Sequence, residues 1–243
     1  DEDSIPMETP PTGEEHAIFE FDALERARKR SMENAVENSC SPESCYHIIS
    51  GAATLAAAVH RIRRGKMPID PDPELSHAGN YLYMMTGRKP TALEERVMDV
   101  ALILHADHGM NASTFAALVV ASTLSDIYFS IGAGIAALNG PLHGGANEQV
   151  IYTLKEIGSP DNVLEWFRKA RADNRKIPGF GHRVYKTHDP RGRVLGPLAG
   201  DLAEGGDMAP LVKTARALEE VVLEDFGREK GIYPNVDFYS GLI

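Results

Sequence analysis

A chain of 243 residues, 43% hydrophobic and 25% charged, can bury a large core, as one domain or one large plus one small. Its formal charge of -10, from 35 acidic against 25 basic residues, excludes a general nucleic-acid binder but leaves room for local anion sites. Two cysteines, Cys40 and Cys45, cannot supply a disulfide framework and have no companions for a zinc site, so they read as free thiols in a reducing cytosol.

The opening Asp1-Glu-Asp-Ser-Ile-Pro is acidic, with no basic segment leading into an apolar run, so no signal peptide is expected. Residues 1–46 are polar and punctuated by Pro6, Pro10, Pro11 and Pro42. One amphipathic helix is predicted over Phe19–Ala35, where Phe21, Leu24, Ala27 and Arg28 fall at helical spacing. Helices then follow one another. The first runs over about 48–65 and ends in the basic stretch His60-Arg-Ile-Arg-Arg, and a short one spans Ser76–Met85, closed by Gly87. Thr91-Ala-Leu-Glu94 has the spacing of a capping box and opens a helix through Val97, Val100, Ala101 and Leu104 to His105.

Ser113–Leu124 and Asp126–Leu138 come next, with Asp126 as a cap. The apolar stretch from Phe115 to Leu142 is broken by Ser125-Asp126, Gly132, Gly134 and Asn139, and neither half reaches the roughly 20 residues of a membrane span. It reads as two buried helices, whose small residues allow close axial approach, as in packed layers or a subunit interface. Further helices are predicted over Gly144–Ile157, Asn162–Asp173 and Pro210–Phe226, with glycine-rich loops at 178–182 and 204–206. The class is all-α.

Three runs carry chemistry. In Gly140-Pro-Leu-His143-Gly-Gly-Ala-Asn147 and Pro178-Gly-Phe-Gly-His182, a histidine stands near glycines where backbone can approach a ligand. His143 precedes a predicted helix start, whose free amides favour a neutral imidazole that donates one N–H. His182 has Arg175-Lys176, Arg183 and Lys186 around it, and Arg191 adds a guanidinium fork suited to a carboxylate. Asp237, in Asn235-Val-Asp237, offers a general base. Singly, each has a plainer reading: a loop histidine on a carbonyl, a solvated basic loop, a cap. Together, two histidines, a carboxylate and an arginine suit carbon–carbon chemistry on an acidic substrate. The cluster His105-Ala-Asp107-His108 stays open between a metal site and a substrate ligand. It lacks the i,i+4 histidine pair of a helical zinc site, and neighbouring helical positions diverge by about 100°.

These runs, with Asn80-Tyr-Leu-Tyr-Met-Met, His105-Ala-Asp-His and Ser122-Thr-Leu-Ser-Asp126, resemble the citrate synthase family in its compact bacterial and archaeal form, from about Ile48 to the end. The resemblance implies an all-α fold: residues 47–144 as part of a large helical domain, and residues 145–243 as a smaller one closing over the active site. It implies a cytoplasmic, homodimeric acyltransferase that joins acetyl-CoA to oxaloacetate, giving citrate and free coenzyme A, with no metal and no permanently bound cofactor. Asp237 would take the methyl proton while His143 stabilises the enol, and His182 would polarise the ketone. His108 and Arg191 would hold the carboxylates. Arg175, Lys176, Ile177, Pro178, Gly179 and Lys186 would lie along coenzyme A. Family chains normally begin differently and continue past Asp237, which implies a form lacking those segments. Three alternatives remain: a 2-methylcitrate synthase using propionyl-CoA, a non-catalytic relative serving dimerisation or regulation, and a metallohydrolase.

Overall fold

The computed structural model describes Arg26, Lys29, residues 41–182, Tyr185 and residues 187–243. Of the helix expected over Phe19–Ala35, only Arg26 and Lys29 are described, both helical. Phe21, Leu24, Ala27 and Arg28, together with Cys40, Arg183 and Lys186, lie outside the described residues. Among those residues the fold is all-α, and β pairing is limited to one isolated bridge, Phe180 to Pro234. No described helix is long and apolar enough to cross a membrane.

Local signals set the first three helices. Helix α1 (Pro42–Ile62) starts earlier than its alanine-rich centre suggests, because Ser41 accepts from the Ser44 amide and Pro42 occupies the first turn. Helix α2 (His77–Thr86) is capped by Ser76 and ends on Gly87, whose φ of 83° is the left-handed closure that glycine adopts without strain. Helix α3 (Ala92–Ala106) opens on the expected capping box between Thr91 and Glu94. The Arg88 guanidinium grips Glu94 and, with the Thr91 amide, pulls its carboxyl down to about 2.

The core forms where apolar residues recur at helical spacing. Val150, Leu154 and Ile157 line α6 (Ala146–Ile157), while Val163 and Phe167 line α7 (Val163–Ala172). Leu195 and Ala199 come from α8 (Pro190–Ala203), and Val212, Ala215, Leu218 and Val222 from α9 (Ala209–Val222). Leu154, Leu195 and Leu218 are at most 1% exposed, and each contributes about 1.5–3 kcal/mol of burial. Val100, Ala101 and Leu104 of α3 pack against this cluster and so bring the end of α3, next to His108, over it. After α9 the chain widens into a π turn over Leu223–Gly227, closes the short α10 (Arg228–Lys230), and reaches α11 (Val236–Ser240). Val236 and Phe238 of α11 enter the same core.

Helix α8 has no counterpart among the expected elements, since Gly192, Gly196, Pro197 and Gly200 are poor helix formers. Tertiary contact overrides that preference. A Cβ at Gly196 would stand 3.2 Å from the Tyr239 ring, and one at Gly200 would stand 2.3 Å from Arg216 Nη2. The glycines let α11 and α9 lie directly on the α8 backbone.

The second departure concerns α4 (Ala112–Ala121) and α5 (Ile127–Leu138), expected as buried helices. They pack on each other, with Gly134 close under the Ser113 carbonyl, and Asn111 and Asp126 supply their caps. Their outer faces are open: Phe115 is 60% exposed, Tyr128 59% and Phe129 71%. The small residues bring the two axes together, but among the described residues no other part of the chain covers the apolar side chains on the far side.

Candidate active site

Two chain segments frame the site. The loop Pro178–His182 runs antiparallel to Tyr233–Asn235: Gly181 N donates to Tyr233 O at 2.9 Å, and Asn235 N donates to Gly179 O at 2.9 Å. The Asn235 carboxamide ties both, donating to Gly181 O at 2.9 Å and accepting from Asp237 N at 3.0 Å. Gly179 adopts φ 80°, and a Cβ there would come within 2.8 Å of Phe238 and Val150. His182 and Asp237 therefore stand at the two ends of one short, tightly seated bridge.

His182 meets His108 with Nε2 to Nε2 at 3.2 Å, and Arg191 Nη2 approaches the same His108 nitrogen at 3.3 Å. A guanidinium can only donate, so His108 Nε2 accepts. The Tyr185 amide donates to His182 Nδ1 at 3.3 Å, which places the His182 proton on Nε2. Burial lowers the His182 pKa, with the charges of His108 and Arg191 adding to it and Asp189 and Asp237 opposing. His182 is thus a neutral ring that presents its Nε2–H to His108 Nε2, the nitrogen that Arg191 also approaches. The Tyr185 ring lies 4.7 Å from His182 and 5.8 Å from His108, centroid to centroid, and limits how either imidazole can turn.

His143 sits in the turn before α6, and its Nε2 is 3.0 Å from Ser113 Oγ on α4. Asp237, half-buried in the first turn of α11, has its pKa raised by burial, against the charges of Arg191, His105 and His143. Asp237 thus lies within electrostatic reach of His143, His182 and Arg191, which come from three other segments. The raised affinity for protons makes Asp237 a stronger base, and it also costs stability when ionised. A carboxyl whose folded pKa exceeds the unfolded value, about 3.8, stabilises the fold most below that pH. That contribution is lost as pH rises through the folded pKa. Asp237→Asn is thus expected to melt at a higher temperature than the wild type at pH 7, with the gain shrinking toward pH 4. Thermal melts at the two pH values check this, and a variant less stable at pH 7 contradicts it.

The remaining expected residues divide. Arg175 forks onto Glu156 through contacts of 2.7 and 2.6 Å, and its guanidinium lies 5.3 Å from the Trp166 ring. That pairing pulls the Glu156 carboxyl down to about 2. Ile177 is buried in the core, so only its backbone can face a ligand, while Lys176 is exposed and Pro178 half-buried. The His105 cluster separates: His105 Nδ1 bonds Ala101 O at 2.6 Å and Asp107 accepts from Gly109 N at 2.8 Å, while His108 turns to His182. Among the described residues no three His, Cys, Asp or Glu side chains are grouped to hold a metal ion. Ser113, Tyr185 and Asp189 were not expected at the site. Asn111-Ala-Ser113 and Asp189-Pro190-Arg191 carry helix-start signals that could have placed two of them beside it.

A family model described as citrate synthase, C-terminal domain, matches residues 9–243. The chain belongs to the citrate synthase family. It is 48% identical over 196 residues to citrate synthase from Synechocystis, covering 81% of this chain and 49% of that one. With citrate synthase from Saccharolobus solfataricus it shares 47% over 203 residues, 83% of this chain and 54% of the relative. It thus spans about half the length of these citrate synthases. Citrate synthase from Pyrobaculum aerophilum superposes with a TM-score of 0.78 at 42% identity, over 88% of this chain and 55% of the other. The Thermoplasma acidophilum citrate synthase, solved as a ternary complex with carboxymethyl coenzyme A and oxaloacetate, gives 0.76 at 37%, over 87% and 58%.

Proposed function

We propose that the protein condenses acetyl-CoA with oxaloacetate to give citrate and free coenzyme A. The observation that carries this reading is the convergence of the neutral His182 Nε2–H, His108 and Arg191, with Asp237 held at raised proton affinity beside them. Asp237 takes a proton from the thioester methyl. The His143 imidazole turns the N–H that Ser113 Oγ accepts in the free protein to the enolate oxygen, because a thioester methyl is too weak an acid to lose a proton to a carboxylate unaided. The enol carbon attacks the ketone carbon of oxaloacetate while His182 Nε2–H polarises the ketone oxygen. Arg191 and His108 hold its carboxylates. Hydrolysis of the resulting thioester releases coenzyme A.

Lys176 and the backbone of 177–179 line the coenzyme path in this reading, with Lys186 beyond the described residues. Arg175 takes part by turning from Glu156 to the nucleotide phosphates, a move that its 45% exposed side chain permits. The chain divides into part of a large helical domain, 47–144, and a small domain, 145–243, which closes over the substrates. The reaction needs no metal and no resident cofactor, and fits a cytoplasmic setting.

Oxaloacetate-dependent thiol release from acetyl-CoA tests the reading. Release that persists without oxaloacetate would point to a hydrolase. A folded protein that releases none would take the non-catalytic role, and faster turnover with propionyl-CoA would make it a 2-methylcitrate synthase.

The open faces of α4 and α5 are the surface on which a second copy docks, since a continuous apolar patch of this kind is rare on a monomer. Phe129→Asp should convert a dimer to a monomer in light scattering. A variant that keeps the wild-type mass would place the interface elsewhere.

A further inference from the structure

Asp189 is 2% exposed and accepts four hydrogen bonds. Its Oδ1 receives Arg191 N at 3.0 Å and Arg191 Nε at 3.1 Å, and its Oδ2 receives Arg191 Nη2 at 2.8 Å and Val236 N at 3.1 Å. A helix cap accounts for the first of these and no more. The grip on Nε and Nη2 fixes the plane of the guanidinium that also reaches His108. The bond to Val236 crosses 47 residues to the first amide of α11, one position before Asp237. The turn that it holds is the one in which Asn235 accepts from Asp237 N and donates to the His182 loop at Gly181 O. One buried carboxylate therefore joins the arginine, the histidine loop and the turn bearing the base.

We infer that Asp189 is a positioning residue that sets the carboxylate-binding guanidinium of Arg191 and the proton-abstracting Asp237 in one fixed register. The inference rests on the condensation reading for what the two groups do. A misplacement of about 1 Å at reacting groups can cost 10²-fold, so a shared anchor has a direct kinetic use. Removing its charge loosens both partners at once. An asparagine at 189 offers one acceptor oxygen and one donor NH2: with the oxygen on the Val236 side its NH2 opposes Arg191 N and Nε, and with the oxygen turned to those two its NH2 opposes Val236 N and Arg191 Nη2.

Two variants separate the halves of this anchor. Asp189→Asn should weaken oxaloacetate in calorimetry by about tenfold or more, as expected when charge-assisted bonds are lost. It should also slow deuterium uptake into the methyl of acetyl-CoA, measured with saturating L-malate in place of the ketone substrate, by about tenfold or more. Val236→Pro deletes the amide that Asp189 accepts from while leaving an apolar side chain at that core position. Proline is tolerated at the first helical position, and the extended Asn235 before it suits a following proline. This variant should slow methyl exchange about tenfold while oxaloacetate affinity stays within about twofold.

If Asp189→Asn changes affinity but exchanges at the wild-type rate, or if Val236→Pro exchanges normally, the shared anchor is refuted. The second result serves even if the asparagine variant does not fold. A wild type that neither binds oxaloacetate nor exchanges methyl protons refutes the condensation reading instead. The anchor is then judged by NMR, where Asp189→Ala, which removes both acceptor oxygens, must cost protection at both Val236 N–H and Arg191 Nε–H. An unchanged Val236 signal overturns it.

Discussion

Asp237→Asn and His143→Ala are each expected to slow condensation by roughly 10²–10⁴, the range for a positioned acid or base, and the double variant is expected to be little worse than the poorer single one. The two groups act on one event. A carboxylate cannot remove a thioester methyl proton unless the oxygen is stabilised as charge develops there, and an N–H donor at that oxygen does little without a base. Their effects should therefore not add. Burial raises the Asp237 pKa, and the charge of His143 is among those that oppose the rise. Stopped-flow thiol release at saturating substrates measures the three variants. Oxaloacetate binding should survive in all of them, since neither residue is assigned to it. Near wild-type turnover in both single variants would move the enolisation pair elsewhere.

Arg191→Ala should weaken oxaloacetate about 10- to 150-fold, the equivalent of about 1.5–3 kcal/mol for a charge-assisted bond. It should also destabilise the protein. Arg191 and Asp189 are 11% and 1% exposed at their side chains, so the substitution strands a buried carboxylate, a loss of about 3–5 kcal/mol for a broken buried pair. Arg191→Lys should restore little of the affinity, because an ammonium cannot face Asp189 and a substrate carboxylate with two parallel N–H bonds. Calorimetry on protein shown to be folded checks both variants. Unchanged affinity in the alanine variant would remove Arg191 from the substrate clamp.

The parts of the fold written in short-range chemistry were legible in the sequence. Thr91 and Glu94 close their box, Asp126 caps its helix and Gly87 ends one, because each needs only its own neighbours within four residues. The histidine runs were legible for a similar reason, as glycines mark where backbone must come close. Long-range determinants were not. The glycine-rich α8 exists because Tyr239 and Arg216 lie against it, and nothing within 190–203 announces them.

Nothing near Asp189 in the sequence announces its bond to Val236, which depends on a segment 47 residues away. The fork from Arg175 to Glu156 was not legible either, since it joins residues 19 apart. The apolar run from 115 to 142 suggested burial, whereas its outer side chains meet no other part of the described chain. Periodicity shows which face is apolar and says nothing of what covers it.

The condensation proposed for this site joins a thioester methyl to a ketone through a new carbon–carbon bond. Carbon NMR on a reaction of methyl-13C acetyl-CoA with oxaloacetate tests it most directly. The labelled methyl is expected to become a methylene joined to a new quaternary carbon as coenzyme A is freed in equal amount. Label recovered in free acetate, with the ketone of oxaloacetate intact, would contradict it.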